Sequence, residues 1–269
     1  MESRQLRDWI PSEAQRDLTE TGPAPRSHWL RELFIVVVFY YSYELVRRFA
    51  HLGNVQPRAF RNQLYVIDVE RFLHIYNESA VQRAFLSARW FVKVLNVYYG
   101  TLHFIITGGL LWWVYLRRHQ HYRQYRNLLG MTTALALIGY FFFPLAPPRM
   151  EVCHHGGPHC FVDTLDKIGG LWSYHSSAAK AIANPFAAMP SLHFGWALWC
   201  GTLLWSFARH PLVRTLSMIY PILTLLAIVV TANHYWLDAA GGAVIFLTAS
   251  QVLRFLRRRA SRKAQPALE

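Results

Sequence analysis

The chain has 269 residues, of which 53% are hydrophobic, 15% aromatic and only 16% charged, with a formal net charge of +13. The apolar residues fall in long uncharged blocks, which excludes an ordinary water-soluble fold and marks an integral membrane protein. The positive charge sits in short Lys and Arg clusters beside those blocks, not in a separate basic domain, which favours positive-inside placement in a membrane and argues against a nucleic-acid partner.

Residues 1–28 are polar, carry Pro11, Pro23 and Pro25, and lack an apolar h-region, so they read as a disordered cytoplasmic tail with no cleavable signal peptide. A membrane domain follows over 29–256, and 257–269 form a basic cytoplasmic tail. Uncharged runs at 94–116, 128–148, 181–208 and 215–237 are each long enough for the roughly 20 residues that cross a hydrocarbon core. Two further spans are expected around 30–49, with a charge-free centre only at 33–43, and around 235–256, which must hold Asp238. The expected fold is an all-α integral membrane protein, a six-transmembrane-helix bundle with an interfacial helix in the first outer loop. In that topology Arg4, Arg7, Arg16 and Arg26, the clusters Arg117 to Arg126 and Arg209 to Arg214, and Arg254 to Lys263 all face the cytoplasm, with both termini, at the plasma membrane. Arg47 and Arg48 conflict with it. In the outer stretch "RNQLYVIDVERFLHIYNESAVQRAF", Leu64, Ile67, Phe72, Ile75 and Tyr76 recur near helical spacing with Asp68, Glu70 and Glu78 between them, predicting a helix at the membrane surface.

The second outer connection, from Pro147 to about Asn184, contains Cys153 and Cys160 around "HHGGPH". In an oxidising compartment a small disulfide-closed loop is the simplest expectation, and a metal site from Cys153, His154, His155, His159 and Cys160 is the alternative. Cys200 lies within a span and reads as a small apolar filler.

Ionisable residues inside spans are costly and point to function, and here they are His103, His193, His234 and Asp238. In "AMPSLHFGWALW", Pro190 suits the first helical position, which puts Ser191 and His193 in the first turn of the fourth span, where free N–H groups and the helix dipole attract a phosphate. In "TANHYWLDAAGG", helical spacing sets His234 and Asp238 on one face, so the carboxylate can hold one ring nitrogen and leave the other as nucleophile or base. A purely structural pairing is the competing reading. Arg149 in "APPR" offers a permanent charge with a fork suited to phosphate oxygens, or else an interfacial anchor for lipid headgroups. His103 reads as an interhelical hydrogen-bonder. His193, His234 and Asp238 together also make a two-histidine, one-carboxylate metal set.

"PSLH" at 190–193 and "NHYWLD" at 233–238 resemble the second and third signature motifs of the type 2 phosphatidic acid phosphatase superfamily. "HYxxD" followed by small residues, with "APPR" ahead of it, is similar to the branch of inositol-phosphorylceramide synthases and inositolphosphotransferases. The resemblance implies that His234 attacks phosphorus and becomes a phosphohistidine, that Asp238 holds its imidazole, and that His193 protonates the departing oxygen. It assigns Ser191 and Arg149 to the phosphoryl oxygens and requires no metal or other cofactor. The substrate it implies is a phospholipid, or a polyprenyl or sphingolipid phosphate, met at the membrane, with either water or an alcohol as acceptor. Two departures stand out. The superfamily's lysine before the first-motif arginine is replaced by Phe142, and its Ser-Arg pair before the third-motif histidine by Ala227 and Ile228. Lys180, Asn184, Asn233 or a loop histidine would have to complete the anion cradle, and a catalytically degenerate lipid-binding protein is the competing outcome.

Overall fold

Long uncharged runs become helices that stop at capping residues and backbone turns, and one of them continues through Pro221. The computed structural model describes residues 29–50, 55–151, 160–171 and 184–264. Its elements are α1 (Trp29–Ala50), α2 (Val55–Phe72), α3 (Glu78–Leu86), α4 (Arg89–Val97), a π-turn (Tyr98–Leu102), α5 (His103–Arg117) and α6 (His119–Phe142). A 3₁₀ turn (Pro148–Met150), α7 (Thr164–Lys167), α8 (Leu192–Phe207), α9 (Pro211–Val230) and α10 (Trp236–Ala264) complete them. Among the described residues there is no strand, only an isolated bridge between Leu145 and Ala187.

The molecule is an all-helical membrane protein. Among the described residues three helices are long and apolar enough to cross a membrane: Arg89–Arg117, which joins α4 to α5, Pro211–Val230 and Trp236–Ala260. The run at 181–208 gives a shorter helix than its composition suggested, because α8 starts only at Leu192 and has 16 residues, roughly 24 Å at 1.5 Å per residue. Pro190 is not at the first helical position as expected. Ser191 is the N-cap, its Oγ accepting the Phe194 N–H at 3.4 Å, and His193 is the second residue of the helix.

The run at 215–237 is also cut short. α9 closes with a Schellman motif in which the Ala232 N–H bonds to Val229 O at 2.9 Å and the Asn233 N–H to Ile228 O at 3.0 Å. Ala232, fully buried, adopts a left-handed φ of 53°. Alanine stands where glycine is usual, so no residue type signals this stop in advance.

α8 lies at the centre and packs against α5, α6, α9 and α10, while α1 packs on α6. Trp199, Cys200 and Leu203 of α8 form a core with Tyr125 and Leu128 of α6, Phe246 and Ala249 of α10 and Val114 of α5. Cys200 is fully buried there, as a filler should be. The outer faces instead expose Trp112, Leu216, Met218, Ile222, Leu247 and Phe255, an outward apolar surface suited to lipid.

The stretch expected to form one surface helix holds two, α2 and α3. The apolar stripe expected to hold α2 in place is also split: Ile67 is buried, whereas Leu64 and Phe72 are 61% and 80% exposed. Asn62, Gln63 and Glu70 share the inward face with Val66 and Ile67. They point inward because the chain after α6 has carbonyls to satisfy. Asn62 Nδ2 donates to Pro144 O at 2.7 Å, Gln63 Nε2 to Pro147 O at 3.1 Å, and Arg58 to the carbonyls of Phe141 and Phe142. α2 thereby clamps the segment that delivers Arg149. Cys153 and its pairing with Cys160, the loop histidines 154, 155 and 159, and Lys180 lie outside the described residues.

Candidate active site

Backbone contact brings the two motif stretches together. The Ser191 N–H donates to Asp238 O at 2.8 Å, tying the start of α8 to the first turn of α10. A Cβ on Gly242 would strike the Ser191 carbonyl, and one on Gly195 would lie 3.3 Å from Gly242 O, so this approach depends on glycine. The C-terminal ends of α6 and α9 and the N-terminal ends of α8 and α10 thus share one end of the bundle. At the other end Arg118 lies over the Phe207 ring at 5.6 Å and Arg214 Nε donates to Ala208 O at 3.2 Å, so these basic residues sit away from the site.

His234 precedes α10 and does not share a helical face with Asp238, contrary to the expectation from spacing. The pair forms because Asp238, in the first helical turn, reaches back. Its Oδ2 takes the Tyr235 N–H at 2.9 Å and lies 3.3 Å from His234 Nδ1. His234 is 3% exposed, and its Nε2 is buried with no hydrogen-bond partner. Burial above all pushes the imidazole down to about 3, with Arg149 adding to the shift and the Ala188 backbone opposing it. The ring is therefore neutral at pH 7. With Nδ1–H directed at a carboxylate, its lone pair lies on Nε2.

The His193 ring lies 6.0 Å from that of His234. It stacks on Tyr99 with centroids 4.1 Å apart and planes 16° apart, and Tyr99 meets His234 edge-on at 6.2 Å. Tyr99 is a site residue that sequence reasoning missed. Its only signal was its place in "NVYYGTLHF", next to the intramembrane His103. His103 is fully buried, with Nδ1 3.0 Å from Tyr220 Oη, as an interhelical hydrogen-bonder would be.

Arg149 is carried in by the 3₁₀ turn, where its N–H bonds to Ala232 O at 2.9 Å. Its side chain is 7% exposed; Nε donates to Asn233 Oδ1 at 3.0 Å, and Nη1 lies 3.4 Å from Asp163 Oδ2. Asp163 also caps α7 through its other oxygen. Asn233 in turn donates to Thr231 Oγ1 at 2.8 Å, so it orients the guanidinium from a fixed position. His193, His234, Asp238, Arg149, Ser191 and Asn233 therefore come together at one end of the bundle. Among the described residues no three His, Cys, Asp or Glu side chains are grouped to hold a metal ion.

The sequence pattern of the PAP2 superfamily matches residues 64–252, well over half of the chain and inclusive of all six of these residues. The chain belongs to the PAP2 superfamily. It is also 28% identical over 141 residues to the inositol phosphorylceramide synthase of Candida albicans, a match covering 49% of this chain and 28% of that one. This PAP2 protein thus spans well under two thirds of that relative's length. No solved structure matches it.

In this PAP2 protein Ala227 and Ile228 are fully buried, Ile228 in an apolar cluster with Val229 and Ala239 against which Val81, Phe194 and Leu225 pack. Phe142 is 69% exposed on the outer surface. Asn184 is engaged in its own turn, its Oδ1 accepting the Phe186 N–H at 3.1 Å.

Two more residues were missed. Glu70 and Glu78, read from sequence as charges on a surface helix, are fully buried against the N-terminus of α10. Glu78 Oε1 accepts the Trp236 N–H at 3.2 Å and Glu70 Oε1 the Leu237 N–H at 2.8 Å. Burial, then the hydrogen bond and charge of Glu78, push the Glu70 carboxyl up to about 10. At neutral pH Glu70 therefore keeps its proton beneath the His234 connection.

Proposed function

We propose that this chain is a membrane lipid phosphatase or phosphotransferase working through a phosphohistidine on His234. The observation that carries the reading is His234 itself, with Nδ1 on Asp238 and an unpartnered Nε2 in a buried site 6.0 Å from a second imidazole. The Nε2 lone pair attacks phosphorus, the ester P–O bond breaks, and the departing oxygen takes a proton from His193. Water or a lipid alcohol then gives a proton back to His193 and attacks phosphorus, and the P–N bond electrons return to Nε2. Arg149 and Ser191 hold the equatorial oxygens, with Asn233 fixing the guanidinium. No step requires a metal.

Lipid phosphate is the favoured substrate class because the chain is a PAP2 superfamily member in which apolar Leu64, Tyr65 and Phe72 of α2 face outward beside the site. A headgroup transfer is the second reading, favoured by the name of the Candida relative. The opposed ends of the bundle support a six-span plasma-membrane arrangement with both termini cytoplasmic and the site at the outer face.

The test is a panel of lipid phosphates, with and without alcohol acceptors, read by mass spectrometry on purified protein. Turnover that survives EDTA, is lost to vanadate and leaves a base-stable, acid-labile phosphoenzyme dependent on His234 is expected. Lipid binding with no release or transfer of phosphate would sink the proposal.

A further inference from the structure

The Arg89–Arg117 helix changes its hydrogen-bond spacing at the π-turn Tyr98–Leu102. There the His103 N–H bonds to the Tyr98 carbonyl, five residues back, where regular α-helix would use Tyr99. Such turns are rare, cluster at functional sites, and leave a carbonyl to find a partner outside the helix. The Tyr99 carbonyl finds His193, whose Nε2 lies 3.1 Å away while its ring stacks on Tyr99.

A carbonyl oxygen can only accept, so Nε2 of His193 carries the proton of this bond. In the neutral ring the lone pair then lies on Nδ1, which has no hydrogen-bond partner among the described residues. The titratable groups facing the ring are His234 at 6.0 Å from the α9–α10 connection and His103 at 5.0 Å from α5, with Tyr99 beneath it. None of the described carboxylates hydrogen-bonds to it.

We propose that the π-turn is a positioning device for His193: by accepting the Nε2 proton, the Tyr99 carbonyl leaves Nδ1 as the nitrogen that exchanges protons with the phosphate ester. This rests on the reading of His193 as proton donor. Nδ1 takes up a proton from solvent as the anionic phosphate binds; the doubly protonated ring then passes that proton to the departing oxygen and is neutral again, with Nε2–H still on Tyr99. The incoming water or alcohol then returns a proton to Nδ1. The ring orientation is held throughout, and only one nitrogen is ever exchanged.

The test reads the tautomer directly, by NMR of protein in lipid nanodiscs with ¹⁵N-labelled histidine and no substrate, the His193 signal being assigned by its loss in His193→Gln. Because no turnover is involved, the result is independent of whether His234 is phosphorylated. A single Nε2–H tautomer near neutral pH is expected, and an Nδ1–H tautomer or a mixture of the two would overturn the proposal. Deleting Gly100 removes the extra residue and returns the Tyr99 carbonyl to the helix ladder. His193 should then show both tautomers, and kcat should fall about 10²-fold. A retained Nε2–H signal with unchanged kcat would again overturn the proposal. Gly100→Ala preserves the turn length, and its Cβ meets nothing within 4 Å, so the wild-type signal should persist. Should the deletion variant fail to fold, the wild-type tautomer decides alone.

Discussion

Asp238 Oδ2 lies 3.3 Å from His234 Nδ1 and simultaneously receives the Tyr235 N–H at 2.9 Å. One oxygen therefore fixes both the imidazole and the backbone that carries it. In Asp238→Asn the amide oxygen would keep the Tyr235 N–H and the Nδ1 proton, but the negative charge that stabilises positive charge developing on the imidazole would be lost. A loss of about 10²- to 10⁴-fold in kcat is expected, with folding retained. His234→Ala should form no phosphoenzyme at all. Ordinary turnover in either variant would remove His234 from the nucleophile's role.

Arg149 uses Nε and Nη1 in two directions, toward Asn233 and Asp163. Lysine offers one ammonium without the planar fork, so Arg149→Lys should lose roughly 1.5–3 kcal/mol of charge-assisted hydrogen bonding, about ten- to hundredfold in kcat/KM. Steady-state kinetics on a lipid phosphate measure this directly. Unchanged values would reduce Arg149 to a headgroup anchor.

Gly242 is where α10 touches the beginning of α8. The Cβ of Gly242→Ala would displace the Ser191 carbonyl and with it His193. Overpacking of this kind costs about 1–3 kcal/mol of stability, and a shift near 1 Å at a reacting group about 10²-fold in rate. Gly108→Ala, where a Cβ meets nothing within 4 Å, is the control and should leave both quantities near wild type. Equal behaviour of the two variants would contradict the contact.

Glu70 titrates at about 10 when folded, above its ordinary value of 4.5, so folding favours its protonated form. The associated stability is complete below about pH 4.5 and is lost as pH rises toward 10. Glu70→Gln cannot ionise. Its Tm relative to wild type should therefore climb with pH across that window, a comparison in which other titrating groups largely cancel. Parallel Tm curves for the two proteins would show that Glu70 is ionised in the fold.

Composition alone determined that this chain is a helical membrane protein, because uncharged runs of that length leave the backbone no other way to satisfy its hydrogen bonds in lipid. The motif residues His193, His234, Asp238 and Arg149 were also legible, since ionisable groups beside such runs are too costly to be incidental. Tertiary structure decided the rest. Helix ends at Leu192 and Val230 depended on a serine cap and a left-handed alanine that hydropathy does not register. Periodicity could not say which face of α2 turns inward, because Glu70 and Glu78 become buried only when α10 presents its free N–H groups to them. Tyr99 was invisible for the same physical reason: its carbonyl matters only where a π-turn and a neighbouring helix bring it to His193.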